Sequence, residues 1–160
     1  MSFTTRIQRV VLIDDSENDN FFHEIALRRA GFDGEIQIFE SGERALEFLV
    51  RDQIGVPTLI LLDINMPGMN GFEVARALSD RLQPRTALQL HLLTSSAWSV
   101  DKATAQSIGI IRNYLVKPLT KEMAASLIDV ECFIGRCPAE TAAAGTASAP
   151  AAGWGGGPGP

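Results

Sequence analysis

At 160 residues, 46% of them hydrophobic and 21% charged, the chain has the length and apolar content of one domain with a single core. Its net charge of -5, with fourteen scattered Lys and Arg, argues against a surface built for nucleic-acid phosphates. No run of about 18 apolar residues offers to span a membrane, and the apolar run after Arg6 and Arg9, Val10 to Ile13, is too short for a secretory signal.

From Arg6 onward the chain alternates between two periods. A short apolar run at Val10–Ile13 predicts a first strand. Ser16, with Asp19 three residues later, resembles a capping box and opens a helix that stops at Gly31. Ile36–Phe39 predicts the second strand, and Ser41 caps a second helix with Ala45, Leu46, Phe48 and Leu49 inward. Leu59–Leu62 is the third strand, followed by a helix striped by Phe72, Ala75, Leu78 and Leu82. Leu88–Leu93 is the fourth strand, and Ser99 caps a helix ending at Gly109. Ile110–Val116 is the fifth strand, and a fifth helix capped by Thr120 carries Met123, Leu127, Val130 and Ile134 as its apolar stripe.

The composition breaks at Pro138. Of the 23 residues from there to Pro160, 18 are Ala, Gly or Pro, with one charge at Glu140 and one aromatic at Trp154. Such a segment buries too little apolar area to offset its ordering entropy, so residues 138–160 read as a disordered tail behind a domain spanning 6–137. A short linear motif around Trp154 is the functional alternative. The only cysteines, Cys132 and Cys137, lack zinc-site spacing and read as ordinary reduced thiols of a cytoplasmic protein.

Five strand–helix alternations predict an α/β fold, a parallel sheet covered by helices on both faces. Leu59-Ile60-Leu61-Leu62 is apolar without alternation, as a strand buried on both sides requires. In open sheets of this kind ligands sit at the carboxyl ends of the strands, so the residues there carry the chemistry. The first strand runs into Asp14-Asp15, the third into Asp63, the fourth into Thr94-Ser95-Ser96, and Lys117-Pro118 follows the fifth. Carboxylates about 4 Å apart repel by roughly 4 kcal/mol at an effective dielectric of 20. Three of them need a cation, and hard oxygen ligands suit magnesium. An acidic cluster with one hydroxyl and one ammonium fits a metal-assisted phosphate site. The blander reading of Asp14 or Asp15 alone is a helix-capping acid.

Asp14-Asp15, Asp63 within Leu-Leu-Asp-Ile-Asn-Met-Pro-Gly-Met-Asn-Gly, Thr94 and Lys117-Pro118 resemble, in order and spacing, the receiver domains of two-component response regulators. The likeness spans residue 7 to about residue 135. It implies a doubly wound, flavodoxin-like five-stranded sheet of order 2-1-3-4-5 with five helices, and a stand-alone switch without enzymatic turnover of a substrate. It implies that Asp63 accepts the phosphoryl group and that Asp14 and Asp15 hold magnesium with Asp63 and the backbone carbonyl of Asn65. Lys117 would pair with the phosphate and Thr94 would turn its hydroxyl toward it, with Ser95 the alternative if the fourth strand slips by one residue. Tyr114 would be the aromatic that swings inward. The implied partners are a sensor histidine kinase or histidine phosphotransfer protein and a downstream protein, with no nucleic acid or membrane and a monomer or weak homodimer as the assembly. His23 and His91 read as structural. No effector domain is expected after residue 138, so output falls to a protein contact or onward phosphotransfer. The rivals are a dehalogenase-like phosphatase, which wants an aspartate where Asn65 stands, and a flavodoxin-like cofactor binder, which wants a phosphate-cradling loop after the first strand.

Overall fold

The computed structural model describes residues 4–82, 87–95, 102–128 and 132–133. In chain order the elements are β1 (Thr4–Thr5), β2 (Arg9–Ile13), α1 (Glu17–Arg29), β3 (Glu35–Phe39), α2 (Gly42–Asp52), β4 (Thr58–Asp63), α3 (Gly71–Arg81), β5 (Leu88–Thr94), α4 (Lys102–Ser107), β6 (Ile111–Val116), α5 (Lys121–Ile128) and β7 (Cys132–Phe133). The five longer strands form one parallel sheet in the order β3-β2-β4-β5-β6. Counted among themselves, that is the expected order 2-1-3-4-5 of the α/β receiver fold.

Every residue of β2 and β4 is buried, because these strands are flanked by others and covered on both faces. Side chains alternate between two cores. Val11, Ile13, Ile60, Leu62, Leu90 and Leu92 pack with α2, α3 and α4, whereas Val10, Leu12, Leu59, Leu61 and Leu93 pack with α1 and α5. The sheet thus holds the carboxyl ends of β2, β4 and β5 side by side, with Ile13 paired to Leu62 and Asp63 to Leu93.

The helix starts obey local chemistry. Ser16, Ser41 and Asn70 cap α1, α2 and α3 with side-chain oxygens that accept from Asp19, Arg44 and Glu73 backbone N–H groups. The Thr120 hydroxyl accepts from Met123 N–H at 3.1 Å. Ser99, expected to cap the fourth helix, lies outside the described residues, as do Cys137 and the segment 138–160.

Two expectations need correction. The fifth helix does not run on through Cys132: α5 spans Lys121–Ile128, carrying Met123 and Leu127, whereas Cys132–Phe133 are extended and pair antiparallel with Thr4–Thr5, and Val130 and Ile134 lie outside the described residues. Phe and the β-branched Thr favour strands, and once the ends of the domain meet, strand pairing satisfies their backbone groups as a helix would. The second correction concerns the opening of α1. Asp19 is not the return half of a capping box, because Ser16 N–H donates to Asp14 Oδ1 at 2.9 Å instead.

Candidate functional site

The site is built on the carboxyl edge of the sheet. Asp14 directly follows β2, and its backbone N–H donates to Phe39 O at 3.1 Å while its carbonyl accepts from Asn20 Nδ2 at 2.9 Å. The side chain is 1% exposed. Asp15 is exposed, and Asp63 closes β4 with a nearly buried carboxylate. One oxygen from each of Asp14, Asp15 and Asp63 lies within 4.8 Å of the others.

Lys117 enters this cluster from the turn after β6. Its backbone N–H donates to Thr94 O at 2.8 Å, and a cis peptide joins it to Pro118. Its ammonium lies 2.7 Å from Asp14 Oδ2, 2.8 Å from Asp19 Oδ2 and 3.3 Å from Asp63 Oδ1. These hydrogen-bonded carboxylates outweigh the burial that disfavours its charge, and its pKa is raised well above the ordinary lysine value. Burial, and next the neighbouring Asp14, push Asp63 up to about 6 in spite of Lys117. Four carboxylates against one ammonium leave a local surplus of negative charge. The donors are all hard oxygens, which suits a small divalent cation, and Asp14, Asp15 and Asp63 are the residues that could hold one.

The loop after β4 is shaped by two glycines. Gly68 has φ +79°, in the left-handed region. A Cβ at Gly71 would stand 2.6 Å from Asp63 O and 2.9 Å from Ile64 Cα, so only glycine lets α3 start against the backbone of the site. Asn65 is exposed in this loop two residues beyond Asp63.

Thr94 is the last residue of β5 and fully buried, whereas Ser95 is exposed just outside the strand. The β5–β6 ladder shifts register between Leu90 and His91, after which Leu92 faces Tyr114 and Thr94 faces Val116. Tyr114 is half-buried against the α2–α3–α4 side of the core, diagonal to Thr94 across the ladder. The histidines lie where structural residues lie. His91 is buried within β5, with its ring against Gln89, and burial pushes it down to about 3. His23 is buried in α1 and is likewise held below its ordinary value by burial. Both are neutral at pH 7.

One member of the site escaped sequence reasoning: Asp19, read as a cap residue, is a direct partner of Lys117. Its position one turn into α1 was visible, but the side chain it meets lies 98 residues away.

A parallel α/β sheet with clustered aspartates, a lysine and a buried threonine at one edge is the architecture of phospho-accepting switches, and the comparisons agree. The response regulator receiver domain matches residues 10–129. The "Probable methanogenesis regulatory protein FilR2" of Methanothrix harundinacea is 31% identical over 118 residues, covering 71% of this chain and 74% of that protein. Protein PilH of Pseudomonas aeruginosa is 26% identical over 121 residues, covering 76% of this chain and 94% of PilH. A crystal structure of a two-component response regulator from Cytophaga hutchinsonii superposes with a TM-score of 0.69 at 33% identity, covering 78% of this chain and 96% of that one. The chain belongs to the response regulator receiver domain family. Members of this family are signalling switches rather than conventional enzymes, bind a divalent metal through acidic residues, and interact with histidine kinases and downstream targets. No described helix is long and apolar enough to cross a membrane.

Proposed function

We propose that Asp63 is the phosphoacceptor of this receiver, with Asp14 and Asp15 as partners in holding magnesium and Lys117 and Thr94 as the residues that meet the phosphoryl group. The observation that carries the reading is the convergence of Asp14, Asp15 and Asp63 oxygens within 4.8 Å, with Lys117 Nζ 3.3 Å from Asp63. An Asp63 oxygen attacks phosphorus of a phosphohistidine or small acyl phosphate. The O–P bond forms as the bond to the leaving imidazole or carboxylate breaks, and a released imidazole takes its proton from solvent. Magnesium, when bound, neutralises charge on the transferring oxygens. With a pKa of about 6, Asp63 is mostly ionised at neutral pH and already nucleophilic. Lys117 is placed to pair with a phosphoryl oxygen, and the backbone carbonyl of Asn65 completes the proposed metal ligands.

Thr94 and Tyr114 form the proposed relay. Drawing the Thr94 hydroxyl toward the phosphoryl group frees space on the same sheet face, which the Tyr114 ring fills. The receiver unit is residues 6–137, followed by the tail at 138–160. This chain acts in the cytoplasm, where a sensor histidine kinase or histidine phosphotransfer protein supplies the phosphoryl group and a protein contact reads it.

The test is incubation of the full chain with acetyl phosphate and magnesium chloride, followed by intact-mass and peptide mass spectrometry. The wild type gains one phosphoryl group on Asp63 and Asp63→Asn gains none. Undiminished phosphorylation of Asp63→Asn overturns the assignment.

A further inference from the structure

Two helices of this protein open on the same device and complete it differently. In α3 the capping box is whole: Glu73 N–H donates to Asn70 Oδ1 and Asn70 N–H donates to Glu73 Oε1, each at 2.9 Å. In α1 only half of it exists. Asp19 N–H donates to the Ser16 hydroxyl at 3.2 Å, but Ser16 N–H is bound to Asp14 Oδ1. The Asp19 carboxylate, relieved of the return bond, accepts from Lys117 Nζ at 2.8 Å.

An ammonium has three protons to donate, and Lys117 meets three carboxylates, those of Asp14, Asp19 and Asp63. Asp14 and Asp63 also belong to the trio whose oxygens converge, and Asp19 does not. A dication among Asp14, Asp15 and Asp63 therefore competes with Lys117 for two of its three partners and repels it as a like charge. Asp19 is the partner that this competition leaves untouched. Its carboxylate is 40% exposed, and its backbone is fixed by the Ser16 cap.

We propose that Asp19 is a positioning residue for Lys117, anchoring the ammonium beside Asp63 and so allowing the divalent cation and the lysine to occupy one site together. The proposal rests on the reading of Asp63 as phosphoacceptor and explains how a lysine in contact with metal-holding carboxylates is kept in place. Without Asp19, Lys117 falls back on Asp14 and Asp63 and opposes the cation.

The experiment is a double-mutant cycle on the full chain, with magnesium chloride alone as the probe and calorimetry as the readout. Asp19→Asn keeps shape and the backbone cap while removing the charge. It should weaken magnesium binding about fivefold, the equivalent of one part-exposed ion pair. In the Lys117→Met background the same change should cost less than about twofold, since only a screened charge is lost. Equal losses in both backgrounds, or no loss in either, overturn the proposal. Asp19→Ala repeats the cycle should the asparagine variant fold poorly. A second readout is the side-chain ammonium 1H–15N signal of Lys117 in magnesium-saturated protein. It should be retained in the wild type and lost to solvent exchange in Asp19→Asn, and its persistence in that variant overturns the anchoring role. The two readings fail separately. Acetyl phosphate that leaves the wild type unmodified sinks the phosphoacceptor assignment, whereas matching magnesium losses sink only the role of Asp19.

Discussion

Replacing Asp63 with asparagine should stabilise the metal-free protein, and the gain should depend on pH in a defined direction. Burial, then Asp14 and more weakly Asp15, lift the Asp63 pKa from 3.8 to about 6, with Lys117 opposing. A carboxyl with a raised folded-state pKa holds its proton more tightly in the folded chain than in the unfolded one. Between those two values the unfolded chain ionises first, so the stability of the wild type falls as pH rises from about 4 to about 6 and stays reduced above that. At about 1.4 kcal/mol per pH unit the full difference is roughly 3 kcal/mol, and strong coupling to Asp14 and Lys117 argues for about 2 kcal/mol as the working figure. Asparagine keeps the shape and never ionises. Urea denaturation in EDTA at pH 4 and pH 8 measures the effect. The advantage of Asp63→Asn should be small at pH 4 and larger by about 2 kcal/mol at pH 8, or roughly 6–10 °C in melting temperature for a domain of this size. Millimolar magnesium should narrow the gap at pH 8, because it favours the folded wild type with its complete carboxylate set. A pH-independent difference, or a variant less stable than wild type at pH 8, would refute the charge-strain account.

Other changes probe the supports of the site. Thr94→Ala should still accept phosphate from acetyl phosphate, since Asp63 and Lys117 remain. The signal of the single tyrosine, Tyr114, should then no longer shift on phosphorylation, as followed by NMR of labelled tyrosine. A wild-type-like shift would remove Thr94 from the relay. Gly71→Ala forces a methyl to 2.6 Å from Asp63 O, which should cost about 1–3 kcal/mol in urea denaturation and slow phosphorylation by displacing the loop. Unchanged stability and rate would mean that the backbone there yields freely. At the far end of the sheet, buried Arg9 pairs with Asp52 at 2.7 Å and donates to the Thr58 hydroxyl at 3.2 Å. Arg9→Ala should cost about 2–4 kcal/mol in urea denaturation with phosphorylation unaffected, because it empties a buried site and strands Asp52.

Much of the fold was legible because the strands are buried on both faces. Leu59–Leu62 and Val10–Ile13 read as strands from apolar continuity alone, and both lie within the observed elements to within a residue at each end. The acids at Asp14, Asp15 and Asp63 were legible for a related reason: a charge directly after such a run has nowhere to go but the sheet edge. What could not be read were contacts that depend on register across the sheet. Asp19 has a local explanation as a cap, and nothing near it in sequence announces Lys117. The pairing of Thr4–Thr5 with Cys132–Phe133 joins segments too short to carry a period, and β-propensity alone does not choose a partner. Asn70 and Glu73, by contrast, form a complete capping box at the spacing such boxes require, a purely local signal that the sequence carries in full.

The β1–β7 ladder places Phe133 opposite Thr4, with the chain leaving one strand beside the point where it enters the other. A short turn joining these two residues, in place of the segments outside them, would make a hairpin of the antiparallel pair and close the backbone of the domain into a ring. The chain could then be opened elsewhere, for instance at exposed Gly55 in the loop between α2 and β4, where an added Cβ would meet nothing within 4 Å. A permuted protein of this kind would begin at β4, so that the strand bearing Asp63 would be the first to leave the ribosome instead of the third strand of the main sheet. The order in which the site's aspartates are made would thereby be separated from the geometry in which they meet.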